Sequence, residues 1–291
     1  MTAPLLDSPV VSTQWLADHL GADHLVVLDA TVHVPTLPTG RVGYVSGHES
    51  YVLSGHVPTA VFADVIEELS DPEGNYPFTR PSAERFAAAA GALGIDNETA
   101  VVVYDSAVGQ WAARVWWLFR SFGYDNVAVL DGGYTKWTAE GRETDVGHVE
   151  PAPARFQAVE RPELWADKAE VAAIVAGTAP GALVCGIPPK EFTGEEGHRA
   201  RRGHIPGSLS VPAGRLVDRG TNALLPVDQL RATVAPVLDE SRVVTYCNGG
   251  IAAASDALAL VLAGHGNVAL YDGSLNEWAA DDAAPLETTP A

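Results

Sequence analysis

Cysteine is scarce in this chain of 291 residues, which holds two, Cys185 and Cys247. A disulfide framework is therefore implausible and a four-cysteine zinc site impossible. His, Asp and Glu show no compact ligand spacing such as H-E-x-x-H, so no metal site and no cofactor are expected. Positive charge is scarce as well, with 18 Lys and Arg against 37 Asp and Glu, a formal net charge of -19. No local run of Lys or Arg offsets that balance, which argues against nucleic acid and membrane surfaces as partners. No stretch approaches the roughly 18 consecutive apolar residues of a membrane span. Met1 to Val10 has neither a basic start nor an apolar signal core, so a cytoplasmic location is expected.

What is present is apolar: 47% of residues are hydrophobic, enough for a large core in one or two domains. The most informative stretch is Val243-Val244-Thr245-Tyr246-Cys247-Asn248-Gly249-Gly250-Ile251-Ala252-Ala253. A β-branched run ends in a cysteine, two glycines follow, and an Ala/Leu-rich helix is predicted over Ala254 to Ala263. A thiol at the mouth of such a loop faces unpaired backbone N–H groups and the positive end of a helix dipole, both of which favour negative charge. Cys247 is thus a candidate nucleophile, and Gly249 and Gly250 can turn their N–H groups inward where a Cβ would resist.

Along the chain, helix Thr13 to Leu20 precedes a buried strand Leu25 to Asp29. Val32 to Ser54 reads as a long loop closed by Gly55-His56-Val57-Pro58. A short strand is predicted near Ala60 to Phe62. Ser82 caps a helix that ends at Gly94, then come strand Val101 to Asp105, helix Trp111 to Phe122 and strand Val127 to Leu130. Strands alternating with helices indicate a mostly parallel sheet with helices on both faces, an α/β fold. The second half repeats the plan. Gly203-His204-Ile205-Pro206 answers Gly55 to Pro58, Val243 to Tyr246 answers Val101 to Tyr104, and Asp272-Gly273 with Trp278 answers Asp131-Gly132 with Trp137. An offset of about 140 residues points to a duplicated domain rather than a solenoid. The expected division is 1–145, a Pro-containing linker 146–161, and 162–291.

Aligning Tyr104 with Tyr246 sets Asp105 against Cys247, so the nucleophile belongs to the second copy alone. This duplicated α/β plan, with Gly203-His204-Ile205-Pro206-Gly207-Ser208, the Asp-Gly-x-x-x-x-Trp repeat and Cys247-x-x-Gly250-Ile251-x-Ala253, resembles the two-domain sulfurtransferases (thiosulfate sulfurtransferase, or rhodanese, and 3-mercaptopyruvate sulfurtransferase). The resemblance covers nearly the whole chain. It implies two tandem rhodanese-like domains, the first non-catalytic and the second catalytic. It also implies that Cys247 takes a sulfane sulfur from a small anionic donor as a persulfide and passes it to cyanide, a thiol or a thioredoxin-like protein. Asn248, Gly249, Gly250, Ile251 and Ala252 would form the substrate loop.

Several residues depart from the family pattern. Thiosulfate enzymes carry C-R-K-G-V-T and mercaptopyruvate enzymes C-G-[ST]-G-V-T, whereas the loop here is Cys247-Asn248-Gly249-Gly250-Ile251-Ala252. It lacks the cations of the first type and the hydroxyls of both. Where the family has Asp-x-Arg, this chain has Cys185-Gly186-Ile187. Arg199, with Arg201 and Arg202 nearby, is the candidate to replace the lost cation. Cys185 is a candidate resolving thiol for Cys247, against a reading as a buried inert thiol. His56 and His204 read as turn histidines, Asp29, Asp105, Asp131 and Asp272 as turn and cap residues, and the tryptophans as core. A phosphatase loop would need C-x5-R, but Ala253 stands at the arginine position. The remaining alternative to a sulfurtransferase is a degenerate binding or sulfur-sensing module.

Overall fold

The computed structural model describes residues 6–38 and 42–288. The first five residues, part of the stretch read above for a leader, fall outside that range. The chain forms two compact units. One comprises Met1–Glu73, Arg80–Arg161 and Asp218–Leu224, the other Gly74–Thr79, Pro162–Val217 and Leu225–Ala291. Each unit therefore includes a short segment from the other half of the sequence. The 146–161 stretch clusters with the first unit, where Ala154, Val159 and Arg161 donate backbone N–H bonds to Gly91, Phe122 and Ser121.

The first unit contains β1 (Val10–Val11), α1 (Thr13–His19), β2 (Leu25–Asp29), β3 (Val32–His33), β4 (Val45–Ser46), α2 (His48–Ser54), β5 (Val61–Phe62), α3 (Ala83–Ala92), β6 (Ala100–Tyr104), α4 (Gln110–Ser121), β7 (Val127–Leu130) and α5 (Gly133–Ala139). Its main sheet runs β1-β7-β6-β2-β5, every pairing parallel. β6 and β7 are buried along their whole length, as expected of strands covered on both faces, and so lack the alternation of a half-exposed strand. The Ser82 side chain accepts the Arg85 N–H and starts α3 at the predicted place.

Val32 to Ser54 is not the structureless loop the sequence suggests. Around residues 39–41, which are not described, it holds the antiparallel pair β3/β4 and the seven-residue α2. Helix α2 buries a single residue, Tyr51, whose hydroxyl donates to the Ala60 carbonyl at 2.7 Å. One anchor in two turns leaves no apolar periodicity to read.

The second unit contains β8 (Trp165–Ala166), α6 (Lys168–Val175), β9 (Ala182–Cys185), α7 (Pro189–Phe192), β10 (Leu209–Ser210), α8 (Val227–Val234), β11 (Val243–Tyr246), α9 (Ala252–Leu262), β12 (Val268–Tyr271) and α10 (Ser274–Trp278). Its parallel sheet runs β10-β9-β11-β12-β8. Read from the other edge this is the order of the first unit, with β8, β12, β11, β9 and β10 in the places of β1, β7, β6, β2 and β5. The predicted duplication is thus visible in topology. The register agrees as well, since Asp29 pairs with Tyr104 in one unit and Cys185 with Tyr246 in the other.

Candidate active site

β11 delivers Cys247 to the carboxyl end of the central strand, where open parallel sheets place their ligands. The residue is 3% exposed. Helix α9 begins at Ala252, two residues earlier than the alanine run suggests, so the loop is only Asn248 to Ile251. Gly250 has φ 79, a conformation that would strain any side chain with a Cβ.

The start of α10 fixes the loop backbone. Leu275 N–H donates to the Cys247 carbonyl at 3.1 Å, and Asn276 N–H to the Asn248 carbonyl at 3.0 Å. The Cys247 N–H donates to Ser274 Oγ at 3.1 Å, while that hydroxyl donates to the Tyr271 carbonyl at 2.8 Å. Ser274 is fully buried and has φ 48, a left-handed conformation rarely taken by a residue other than glycine, asparagine or aspartate. Gly133 holds the equivalent place in the first unit, with φ 54, and there Tyr134 N–H donates to the Asp105 carbonyl at 3.0 Å. The second unit thus accepts strain at this turn and gains a hydroxyl aimed at the cysteine backbone.

Asp105 reveals what the loop can hold. Its buried carboxylate accepts four backbone N–H groups: Ala107 at 2.8 Å and Gly109 at 3.0 Å on one oxygen, Trp111 at 2.9 Å and Ala112 at 3.0 Å on the other. Burial raises its pKa above the ordinary carboxylate value, and the four amides act against that rise without cancelling it. Because α4 and α9 both start five residues beyond the aligned pair, the equivalent amides are Gly249, Ile251, Ala253 and Ala254. Ala254 donates to the Ile251 carbonyl, and the other three find no protein acceptor among the described residues. The second copy therefore leaves three of the four equivalent amides without a protein acceptor and carries a thiol where the first carries a carboxylate.

Side chains close over the loop from α7, α10 and the chain between β9 and β10. Arg199 donates to Asn248 Oδ1 at 2.7 Å and to Asn276 Oδ1 at 2.8 Å. Asn248 Nδ2 donates to Glu191 Oε2 at 3.1 Å. Ile187, 1% exposed, supplies an apolar wall to the cleft that Glu191, Arg199 and Leu275 also line. Arg201 and Arg202 turn away from the loop, Arg201 to the carbonyls of Asp281 and Ala284 and Arg202 to that of Glu195. Of the three candidate arginines, Arg199 alone reaches the loop.

Cys185 sits where Asp29 sits in the first unit, opposite a tyrosine in the register. It is fully buried, and desolvation pushes its thiol up to about 12. A thiol that stays protonated at neutral pH is a poor nucleophile, which favours the inert reading over the resolving one. His56 and His204 are buried turn residues with Nδ1 on backbone carbonyls, and Trp111, Trp116, Trp117, Trp137 and Trp278 are core.

A family model described as the rhodanese-like domain matches residues 12–140 and 188–281. The chain belongs to the rhodanese-like family. Among curated relatives of this rhodanese-like chain, the 3-mercaptopyruvate sulfurtransferase of Escherichia coli K12 is 33% identical over 282 residues, covering 95% of this chain and 97% of that protein. The thiosulfate sulfurtransferase of Bos taurus is 35% identical over 294 residues, covering 96% and 94%. A solved 3-mercaptopyruvate sulfotransferase structure from Escherichia coli superposes with a TM-score of 0.81 at 32% identity, covering 92% of this chain and 98% of that one.

The structure brings Cys247, Asn248, Gly249, Gly250, Ile251, Ala252 and Arg199 into one site. Sequence reading missed Ser274, Asn276 and Glu191. It also missed Asp256, a fully buried α9 carboxyl with neither oxygen hydrogen-bonded, whose pKa burial raises well above the usual range. For Ser274 the signal lay in the repeat itself, where Asp131-Gly132-Gly133 became Asp272-Gly273-Ser274. Asp256 shows as the lone acid in an Ala/Leu run. Among the described residues no helix is long and apolar enough to cross a membrane, and no group of three His, Cys, Asp or Glu could hold a metal ion.

Proposed function

We propose that this rhodanese-like chain is a sulfurtransferase working through a Cys247 persulfide. The observation that carries the reading is the contrast between the two cradles. Where the first unit seats a carboxylate on four amides, the second has a thiol at the aligned residue and leaves three of the equivalent amides without a protein acceptor. A terminal persulfide sulfur is an anion of the kind such a cradle stabilises. Gly249, Ile251 and Ala253 act through backbone N–H groups, Gly250 and Ala252 complete the loop between them, and Arg199 draws an anionic donor towards them against the global field.

The Cys247 thiolate attacks the outer sulfur of a small anionic donor of thiosulfate or 3-mercaptopyruvate type. The donor's S–S or C–S bond breaks, and its electron pair leaves with sulfite or with the pyruvate enolate. An acceptor thiolate, free or on a thioredoxin-like protein, then attacks the outer sulfur of the persulfide and regenerates the Cys247 thiolate. Cyanide can take the same sulfur. A cytoplasmic setting, where acceptor thiols are kept reduced, suits this half-reaction. The first unit is a non-catalytic partner in this scheme, since Asp105 already fills its cradle.

The test is intact mass after incubation with each donor. A gain of about 32 Da in the wild type and none in Cys247→Ser is expected. No gain with any sulfane-sulfur donor would return the chain to the binding or sulfur-sensing module.

A further inference from the structure

Asn248 stands between opposite charges. Its carboxamide oxygen accepts from Arg199 Nη1 at 2.7 Å, and its nitrogen donates to Glu191 Oε2 at 3.1 Å. One neutral side chain therefore satisfies a cation and an anion together, at the residue next to the nucleophile. Glu191 and Arg199 line the same cleft. Arg199 also donates to Asn276 Oδ1 at 2.8 Å, while Arg201 and Arg202 hold backbone carbonyls and Glu196 pairs with Lys190 at 2.7 Å. The loop thus faces a polarised pair, one guanidinium and one carboxylate separated by the width of an amide.

We infer that the preferred sulfur donor carries an ammonium as well as a carboxylate, as an α-amino-acid persulfide does. Its two ionised ends take the places of the two ends of the Asn248 amide, ammonium on Glu191 and carboxylate on Arg199, with the persulfide directed at Cys247. The inference rests on the persulfide-transfer reading above. A compact dianion meets repulsion from Glu191 beside the attraction of Arg199, which weakens its hold at this pair. A zwitterionic head makes a charge-assisted hydrogen bond at each end.

The transfer balances without any further reagent. The Cys247 thiolate attacks the outer sulfur of R–S–SH and forms the Cys247 Sγ–S bond. The donor's S–S bond breaks, its electron pair leaves on R–S⁻, and the proton stays on the transferred sulfur. Cys247 is oxidised to the persulfide level as the donor is reduced to a thiolate.

The experiment uses the full chain, its Cys247→Ser control and Glu191→Gln. Initial rates of sulfur loading on Cys247 are read by intact mass at low concentrations of cysteine persulfide and of N-acetylcysteine persulfide, with thiosulfate and 3-mercaptopyruvate alongside. In the wild type, cysteine persulfide is expected to load at least about tenfold faster than its N-acetyl analogue, the worth of one hydrogen bond to a charged group. In Glu191→Gln the ratio falls to within about twofold. A wild-type ratio near one, or a ratio that survives Glu191→Gln, overturns the inference. If other donors load Cys247 in those cases, persulfide transfer itself stands. If no probe loads Cys247, both readings fail together.

Discussion

Replacing Ser274 by glycine and by alanine separates strain from hydrogen bonding at the turn that holds Cys247. Both changes remove the Oγ that accepts the Cys247 N–H, leaving a buried donor unsatisfied at a cost of roughly 1–3 kcal/mol. Alanine keeps a Cβ at φ 48 and so keeps the strain, whereas glycine relieves it. Glycine should therefore be the more stable of the two by about 1 kcal/mol, although it is the larger change in side chain. With a urea slope of roughly 1–3 kcal/mol/M, that gap separates the unfolding midpoints by about 0.3–1 M at equal slope. Sulfur loading of Cys247 should fall in both variants, because the recovered stability does not restore the hydroxyl that positions the cysteine. If alanine matches or exceeds glycine in midpoint, the turn is not strained. If both variants load at the wild-type rate, Ser274 does not position Cys247.

The other predictions concern the floor beneath the loop. The raised pKa of Asp256 means that the unfolded chain, with its carboxyl near about 4, ionises first as pH rises, so stability is lost on going from acid towards the folded pKa. Asp256→Val should flatten that decline and add about 1–3 kcal/mol at neutral pH. Urea midpoints of the two proteins measured from acid to alkaline pH should diverge, and parallel curves would contradict the assignment. Gly186 packs so close to this carboxyl that an added Cβ would lie 2.6 Å from Asp256 Oδ2 and 3.2 Å from the Ala252 carbonyl carbon. Gly186→Ala should cost about 1–3 kcal/mol and slow sulfur loading by pushing on the first turn of α9, and Asp256→Ala in the same chain should recover part of both losses. Strictly additive losses would refute the contact.

Much of this was legible in the sequence because it is local. The apolar runs Leu25 to Asp29 and Val243 to Tyr246 became strands with those bounds, and Ser82 capped its helix, because burial and capping act within a few residues. The candidate nucleophile was legible for the same reason, a strand, a glycine pair and a helix in succession. The surroundings of Cys247 were less so. Glu191, Arg199 and Asn276 reach the loop from three separate segments, and no periodicity ties them to one another. The alanine run alone puts the start of α9 two residues late, because Ile251 and Ala252 read equally well as loop or helix. What would have set it earlier is Asp105, whose contacts fix the count from loop to helix in the other copy.

The reciprocal placement of Gly74–Thr79 and Asp218–Leu224 bears on how such a protein can change over time. Each compact unit counts among its residues a piece encoded in the opposite half, and in the second unit the Pro77 carbonyl lies 3.5 Å from where a Cβ on Gly249 of the cysteine loop would stand. Severing the gene near residue 161 would leave each product missing a piece of its own wall. Two modules that began as copies have thereby become a single heritable object, and later divergence of either copy must keep the segment it lends to the other.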